Sequence, residues 1–254
     1  MPERKIELAN GEFYHIVKRG VDKRKIFLDD EDRLRFVNSL IVFNDKAPSP
    51  WLSRTFWHRA TFPILQRGPS SLQNYRPKEP LVKIYAFVLM GNHFHLLLSQ
   101  LADGGIVKFM RKIGGYAYAF NKKHNRTGAL FEGRYRIKRI KNDTQLENNF
   151  VYISTNPVEI LEPGWKKGKV TNPKRAIAFL EKGYRWTSYW DYLGNRNFPT
   201  LTSRDFFNEL FGSSERIQKR INDWVYSKTY KNTLDKMKTL EVEEGAEEVL
   251  DFLE

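Results

Sequence analysis

The chain has 254 residues, 41% apolar and 14% aromatic, which is enough for a packed core and argues against wholesale disorder. It contains no cysteine, so disulfides, thiolate nucleophiles and cysteine-bound zinc or iron–sulfur centres are excluded. A net charge of +13 points to a polyanionic partner, nucleic acid ahead of an acidic membrane surface. The polar opening "MPERKIELANGEF" and the lack of any membrane-length apolar run predict a cytoplasmic protein with no membrane partner.

In chain order, "EFYHIVKRG" (12–20) alternates in period two and reads as a strand ending at Gly20. "DDEDRLRFVNSLIVF" (29–43) reads as a helix capped by Asp29 or Asp30, with Leu34, Val37 and Ile41 on one face. Residues 44–80 hold six prolines and many polar residues and are predicted to be an irregular insertion. "LVKIYAFVL" (81–89) and "HFHLLLS" (93–99) read as buried strands joined by a hairpin turn.

"GGIVKFMRKIGGYAYAFNKKHN" (104–125) has apolar residues at helical spacing, with a kink or close packing expected at Gly114-Gly115. "GALFEGRYRIKRIK" (128–141) reads as one or two basic strands. "DTQLENNFVYISTNP" (143–157) reads as a helix opened by a Thr144/Glu147 capping box and closed near Asn156 by Pro157. Two more helices are expected after residue 201. This order predicts an α+β fold, an antiparallel sheet with helices gathered on one face.

Charge is unevenly placed along the chain. From Gly105 to Lys141 the bases are Lys108, Arg111, Lys112, Lys122, Lys123, Arg126, Arg134, Arg136, Lys138, Arg139 and Lys141, opposed only by Glu132. That stretch is predicted to form a phosphate-binding face. The end, "EVEEGAEEVLDFLE", is acidic and carries no base.

Two of the five histidines, His93 and His95, sit one residue apart in the run "NHFHLLLS". Strand geometry puts them on one face, with Cα atoms about 7 Å apart, where both imidazoles reach a single ion. A hydrogen-bonded pair of core histidines fits the same spacing, so a third ligand has to decide. Asn156 offers an amide oxygen at a helix C-terminus, whose partial negative charge favours a cation. Two imidazoles and one amide oxygen with open positions suit Mg²⁺ or Mn²⁺ holding a phosphate. Tyr152 shares a helix face with Asn156, and a tyrosine beside such an ion suits covalent attack on phosphorus. Spacing alone does not separate Tyr152 from Tyr116, Tyr118 or Tyr135 as the nucleophile.

The stretches "HIVKRGVDKRKIFLDDEDRLRF", "AFVLMGNHFHLLLS", "YAFNKKHNRTGALFEGRYR", "YISTNPVE" and "YRWTSYWDYLG" occur in the order found in REP-associated tyrosine transposases. These are single-tyrosine members of the HUH (His-hydrophobic-His) nuclease superfamily, and the chain resembles them over residues 12–194 apart from the insertion. The resemblance implies that His93, His95 and Asn156 are metal ligands and that Tyr152 is the nucleophile. It implies a ferredoxin-like or RRM-like antiparallel sheet, with the histidines on a central strand and the tyrosine on a neighbouring helix. An HUH domain is accordingly expected over residues 1–200, and the helical pattern beyond it reads as a C-terminal extension over 201–254.

The implied reaction is cleavage and rejoining of single-stranded DNA at hairpins of imperfect palindromes, through a 5′-phosphotyrosine link and a free 3′-OH. Mg²⁺ or Mn²⁺ would be the cofactor and hairpin DNA the partner, with monomer and homodimer both open. The basic stretch would hold the DNA backbone, and Tyr116, Phe120, Phe131 and Tyr135 would offer surfaces for unpaired bases. The 44–80 insertion is longer than the family pattern, and the acidic end after Lys238 is left unassigned by it. Two other readings compete: a non-catalytic nucleic-acid-binding module on the same fold, and a metal-dependent phosphodiesterase that uses activated water.

Overall fold

The alternation of "FYHIVKR" becomes β1 (Phe13–Arg19) in a computed structural model that describes residues 7–48 and 77–229. Most of the expected insertion (49–76) and the whole acidic end lie outside the described residues. β1 is followed by α1 (Asp30–Val42), β2 (Val82–Leu89), β3 (His93–Gln100), α2 (Gly105–Lys123), β4 (Arg136–Arg139) and α3 (Asp143–Thr155). The four strands form one antiparallel sheet in the order β2-β3-β1-β4. β1 and β2 thus flank β3, and β3 and β4 flank β1: two split β-α-β units, the ferredoxin-like arrangement.

Right-handed crossovers put α1 and α2 on the same face of the sheet. There they meet Phe94, Leu96 and Leu98 of β3, and Tyr14 and Ile16 of β1, all fully buried. Phe36 of α1 is the joint, with ring centroids 5.2 Å from Phe27, 4.6 Å from Phe94 and 5.0 Å from Tyr116 of α2. Replacing Phe36 with alanine empties that joint and is expected to destabilise the fold by about 3–5 kcal/mol. Urea unfolding reads this directly; a loss below about 1 kcal/mol would mean that α1 is not anchored through this ring.

Helices do not gather on that face alone. α3 packs on the other one, where its Tyr152 meets the odd-numbered His15 and His95 of the central strands. β3 is therefore covered on both sides and all eight of its residues are buried, the polar His93, His95, Ser99 and Gln100 included.

Local chemistry explains most boundaries. Asp29 caps α1 by accepting from the Asp32 N–H at 2.8 Å. α2 runs unbroken through Gly114-Gly115, since its buried residues Ile113 and Tyr116 pin the helix on both sides of the pair. The cap of α3 is Asn142 and not Thr144: Asn142 Oδ1 accepts from the Gln145 N–H at 2.9 Å, and Gln145 Oε1 reaches back to the Lys141 N–H at 3.0 Å. Glu147 ion-pairs with Arg220 instead.

Of the basic segment 128–141, only Arg136–Arg139 is a strand; Phe131 makes a single bridge to Gly20. α3 stops at Thr155 because Pro157 has no N–H to extend the ladder. Asn156 nevertheless keeps helical dihedrals (φ −52°, ψ −36°), held by complete burial, and the chain passes directly into α4 (Val158–Leu161).

Among the described residues four more α-helices follow, α5 (Pro173–Ala178), α6 (Tyr189–Tyr192), α7 (Asp205–Phe211) and α8 (Ser214–Ser227), with a π-helical stretch Phe179–Gly183 directly after α5. Phe207 and Phe211 of α7 pack their rings 4.6 and 5.1 Å from Phe150 of α3. No helix among the described residues is long and apolar enough to cross a membrane.

Candidate active site

Antiparallel pairing sets Val17 opposite His95 and Arg19 opposite His93, so the odd-numbered side chains of β1 and β3 share one face. His15 stands diagonally across from His95, and the two imidazoles meet: His15 Nε2 and His95 Nδ1 are 2.8 Å apart. His93 and His95 lie edge to face, with centroids 4.9 Å apart, and His93 Nδ1 hydrogen-bonds Asn92 Oδ1 at 2.6 Å. The Tyr152 ring of α3 stands edge-on to His95 at 5.6 Å and to His15 at 6.0 Å. Trp165 stacks on the same ring at 6.0 Å.

Trp165 and Lys166 come from the 3-10 turn Trp165–Lys167 that follows α4. The Lys166 ammonium lies over the Tyr152 ring, 5.8 Å from its centroid, and pairs with Glu159 at 3.1 Å. Burial pulls that ammonium down, but Tyr152 and Glu159 outweigh it and hold the ammonium above its ordinary range. The structure thus joins His93 and His95 of β3 with Tyr152 of α3, from two separate stretches of sequence. Asn156 follows one helical turn after Tyr152 and is fully buried.

Three polar atoms at these residues lack a hydrogen-bond partner within the protein: His95 Nε2, Asn156 Oδ1 and Asn156 Nδ2. Leaving a buried polar group unpaired costs about 1–3 kcal/mol, so a bound group that met these atoms would be favoured by that much. His93 is held through Nδ1 in the same way, which leaves Nε2 as its donor atom. Neutral imidazoles and an amide oxygen are hard-to-borderline donors that fit Mg²⁺ or Mn²⁺.

Burial pushes His93 down to about 3, aided by Arg19 and Lys166. Burial, aided by Lys138, pushes His15 down to about 4. Burial is also the main cause that drives His95 well below its ordinary value. All three are therefore neutral at pH 7, as metal ligation requires. In the unfolded chain each takes its proton near pH 6.5, whereas in the folded protein His15 refuses it until about pH 4 and His93 until about pH 3, with His95 shifted in the same direction. Folding stability is then fully present above pH 6.5 and lost as pH falls from 6.5 towards 4.

Asp191, raised to about 6 by burial, acts in the opposite sense as one group against three. Melting of the metal-free protein should drop steeply between pH 7 and 4.5, and less so after His95→Ala. A flat profile would mean that these imidazoles are hydrated in the folded protein.

The basic stretch divides across the sheet. Lys138 lies opposite His15 and Arg136 opposite Val17, on the histidine face. Arg136 and Arg134 line a cleft of about 190 Å³ with Val17, Arg19, Glu132 and Gly133. The α2 bases belong to the opposite layer. Lys108, Arg111 and Lys122 are exposed there, while Lys112 donates to the carbonyls of Asp45 and Ala47.

Lys123 is held by Asp29 at 2.8 Å and by Glu31 and Asp32 at 3.0 Å each. Asp29, Asp32 and His124 lie close enough to suggest a second cation site, but the Lys123 ammonium already supplies that charge. Arg126 stacks over Phe120, and Arg139 pairs with Glu12 at 2.7 Å on the face away from the histidines. Tyr116 and Phe120 are core residues, and Phe131 and Tyr135 are half-buried, so Tyr116 and Phe120 offer no surface to a base.

His15, Arg19, Trp165 and Lys166 have no signal in the sequence. Period two places His15 and Arg19 on one face of β1, but only the pairing register sets that face beside His93 and His95. No protein-family model matches this chain, and no curated protein matches it. Among solved structures, that of a REP-associated tyrosine transposase bound to a REP hairpin is similar with a TM-score of 0.44 and 15% identity. The similarity covers 81% of this chain and 93% of that one.

Proposed function

We propose that the protein cleaves and rejoins single-stranded DNA at hairpin sites, with Tyr152 as the covalent nucleophile. The observation that carries this reading is the placing of Tyr152 edge-on to His95, whose Nε2 is buried and unpartnered, with the Lys166 ammonium 5.8 Å from the centroid of the tyrosine ring. His93, His95 and Asn156 would hold Mg²⁺ or Mn²⁺, which supplies positive charge beside the scissile phosphate.

The Tyr152 ring is held against Trp165 and the imidazoles, so its oxygen needs little reorganisation to attack. Its proton passes to solvent, and the Lys166 ammonium stabilises the phenolate that remains. The phenolate oxygen bonds to phosphorus, the bond from phosphorus to O3′ breaks, and the departing O3′ takes up a proton. A 3′-OH attacking the same phosphorus later reverses these events, so the bond energy is kept and no nucleotide triphosphate is consumed. Arg19, Arg134, Arg136 and Lys138 lie on the histidine face and neutralise flanking phosphates. Lys108, Arg111 and Lys122, in the opposite layer, would engage the DNA further from the cleaved bond. Lys112, Lys123, Arg126 and Arg139 already have partners within the fold.

The test is incubation with short single-stranded hairpin DNA from the gene's own flanks and Mn²⁺, followed by a denaturing gel and mass spectrometry. A protein–DNA adduct on Tyr152 is expected. Tight binding with neither adduct nor cleaved strand would overturn the reading and leave a non-catalytic binding module.

A further inference from the structure

β1 contributes an imidazole that the proposed chemistry does not yet use. His15 is buried, lies diagonally across the strand pair from His95, and places Nε2 2.8 Å from His95 Nδ1. One proton must lie between these two nitrogens. The choice of its owner decides whether His95 Nε2 is a lone pair or an N–H.

Two observations decide for the lone pair. His95 Nε2 is buried with no acceptor in the protein, so an N–H there would be an orphaned donor, a rarer defect in folded proteins than an unsatisfied acceptor. Arg19 and Lys166 also place positive charge close enough to act on the His95 ring, and a lone pair is favoured over an N–H in such a field. The proton is therefore on His95 Nδ1, donated to His15 Nε2. His93 repeats the pattern, with Nδ1 donating to Asn92 Oδ1. Both histidines of the pair then carry bare Nε2 atoms, the form in which imidazole binds a metal while its other nitrogen is held by a neighbour.

We infer that His15 is a positioning residue that accepts the Nδ1 proton of His95 and so fixes both the tautomer and the ring orientation of that ligand. This rests on the metal-holding role proposed for His95. A leucine at position 15 would fill similar space with no acceptor. A glutamine can place Oε1 where the His15 Nε2 lone pair now lies.

The test is calorimetric titration of Mn²⁺ into the wild type, His15→Leu, His15→Gln and His95→Ala, each checked for folding by circular dichroism. Wild-type binding is expected to be lost in His95→Ala, to weaken roughly 10–100-fold in His15→Leu, and to be largely restored in His15→Gln. If His15→Leu binds Mn²⁺ as tightly as the wild type, the positioning role is overturned while the metal site stands. If His15→Gln is as weak as His15→Leu, packing and not hydrogen bonding is responsible, and the inference falls. Wild-type binding that is absent, or unchanged in His95→Ala, overturns the metal site itself and this inference with it.

Should His15→Leu fail to fold, long-range ¹H–¹⁵N spectra of the metal-free wild type decide the point, with the His95 signals assigned by their loss in His95→Gln. A proton on His95 Nδ1 supports the inference, and a proton on Nε2 overturns it.

Discussion

Tyr152→Phe is expected to abolish covalent capture of hairpin DNA, by on the order of 10⁴-fold or more, the scale on which removal of a covalent nucleophile acts. The substitution removes one oxygen and leaves the ring, so the packing against Trp165, His95 and His15 persists. Its stability should therefore change little, which urea unfolding reads. DNA affinity should change little, because Arg19, Arg134, Arg136 and Lys138 are untouched. A denaturing gel of wild type and variant on the same hairpin, with filter binding alongside, separates the two effects. Cleavage that survives in Tyr152→Phe would mean that water is the nucleophile, and the protein would then be a phosphodiesterase.

His95→Ala is expected to remove both Mn²⁺ binding and cleavage, through a different physical route. At a Mn²⁺ concentration of about 100 times Kd, a single site adds about 2.7 kcal/mol to the stability of the folded state. For a chain of this size that raises Tm by roughly 5–10 °C in the wild type, and by nothing in the variant. Without metal, His95→Ala loses packing against His93 and Tyr152 but also relieves a buried imidazole that resists protonation. Its acid sensitivity should therefore fall even as its stability at pH 7 drops. A Mn²⁺-induced rise that persists in His95→Ala would place the ion elsewhere, with the Asp29, Asp32 and His124 group the first place to look.

Periodicity and capping chemistry made most of the elements readable before any fold was known. The alternation in "FYHIVKR", the two apolar runs on either side of "MGN", and the i, i+3, i+4 spacing of Ile106, Phe109, Met110 and Ile113 each encode a secondary structure within a few residues. Local competition was less readable. Asn142 outcompetes Thr144 as the α3 cap because Gln145 can reach back to the Lys141 N–H, a choice that depends on the path of the incoming chain.

At the site, strand periodicity places His93 and His95 on one face, and helical periodicity aligns Tyr152 with Asn156. Neither periodicity says that the two faces meet, and the resemblance to a known family supplied that expectation.

What one-dimensional pattern carries, then, is the type of each element and which residues share its face, because these follow from backbone geometry repeated every two or 3.6 residues. What the tertiary structure decided is which faces oppose one another. Register across β1 and β3 set His15 against His95 and Arg19 against His93, 80 and 74 positions apart in the chain. The sheet itself split one continuous basic stretch, sending α2 to one layer and the Arg136 and Lys138 side chains to the other. Long-range pairing has no local signal, because the energy that selects it is the burial of two surfaces that the sequence does not place side by side.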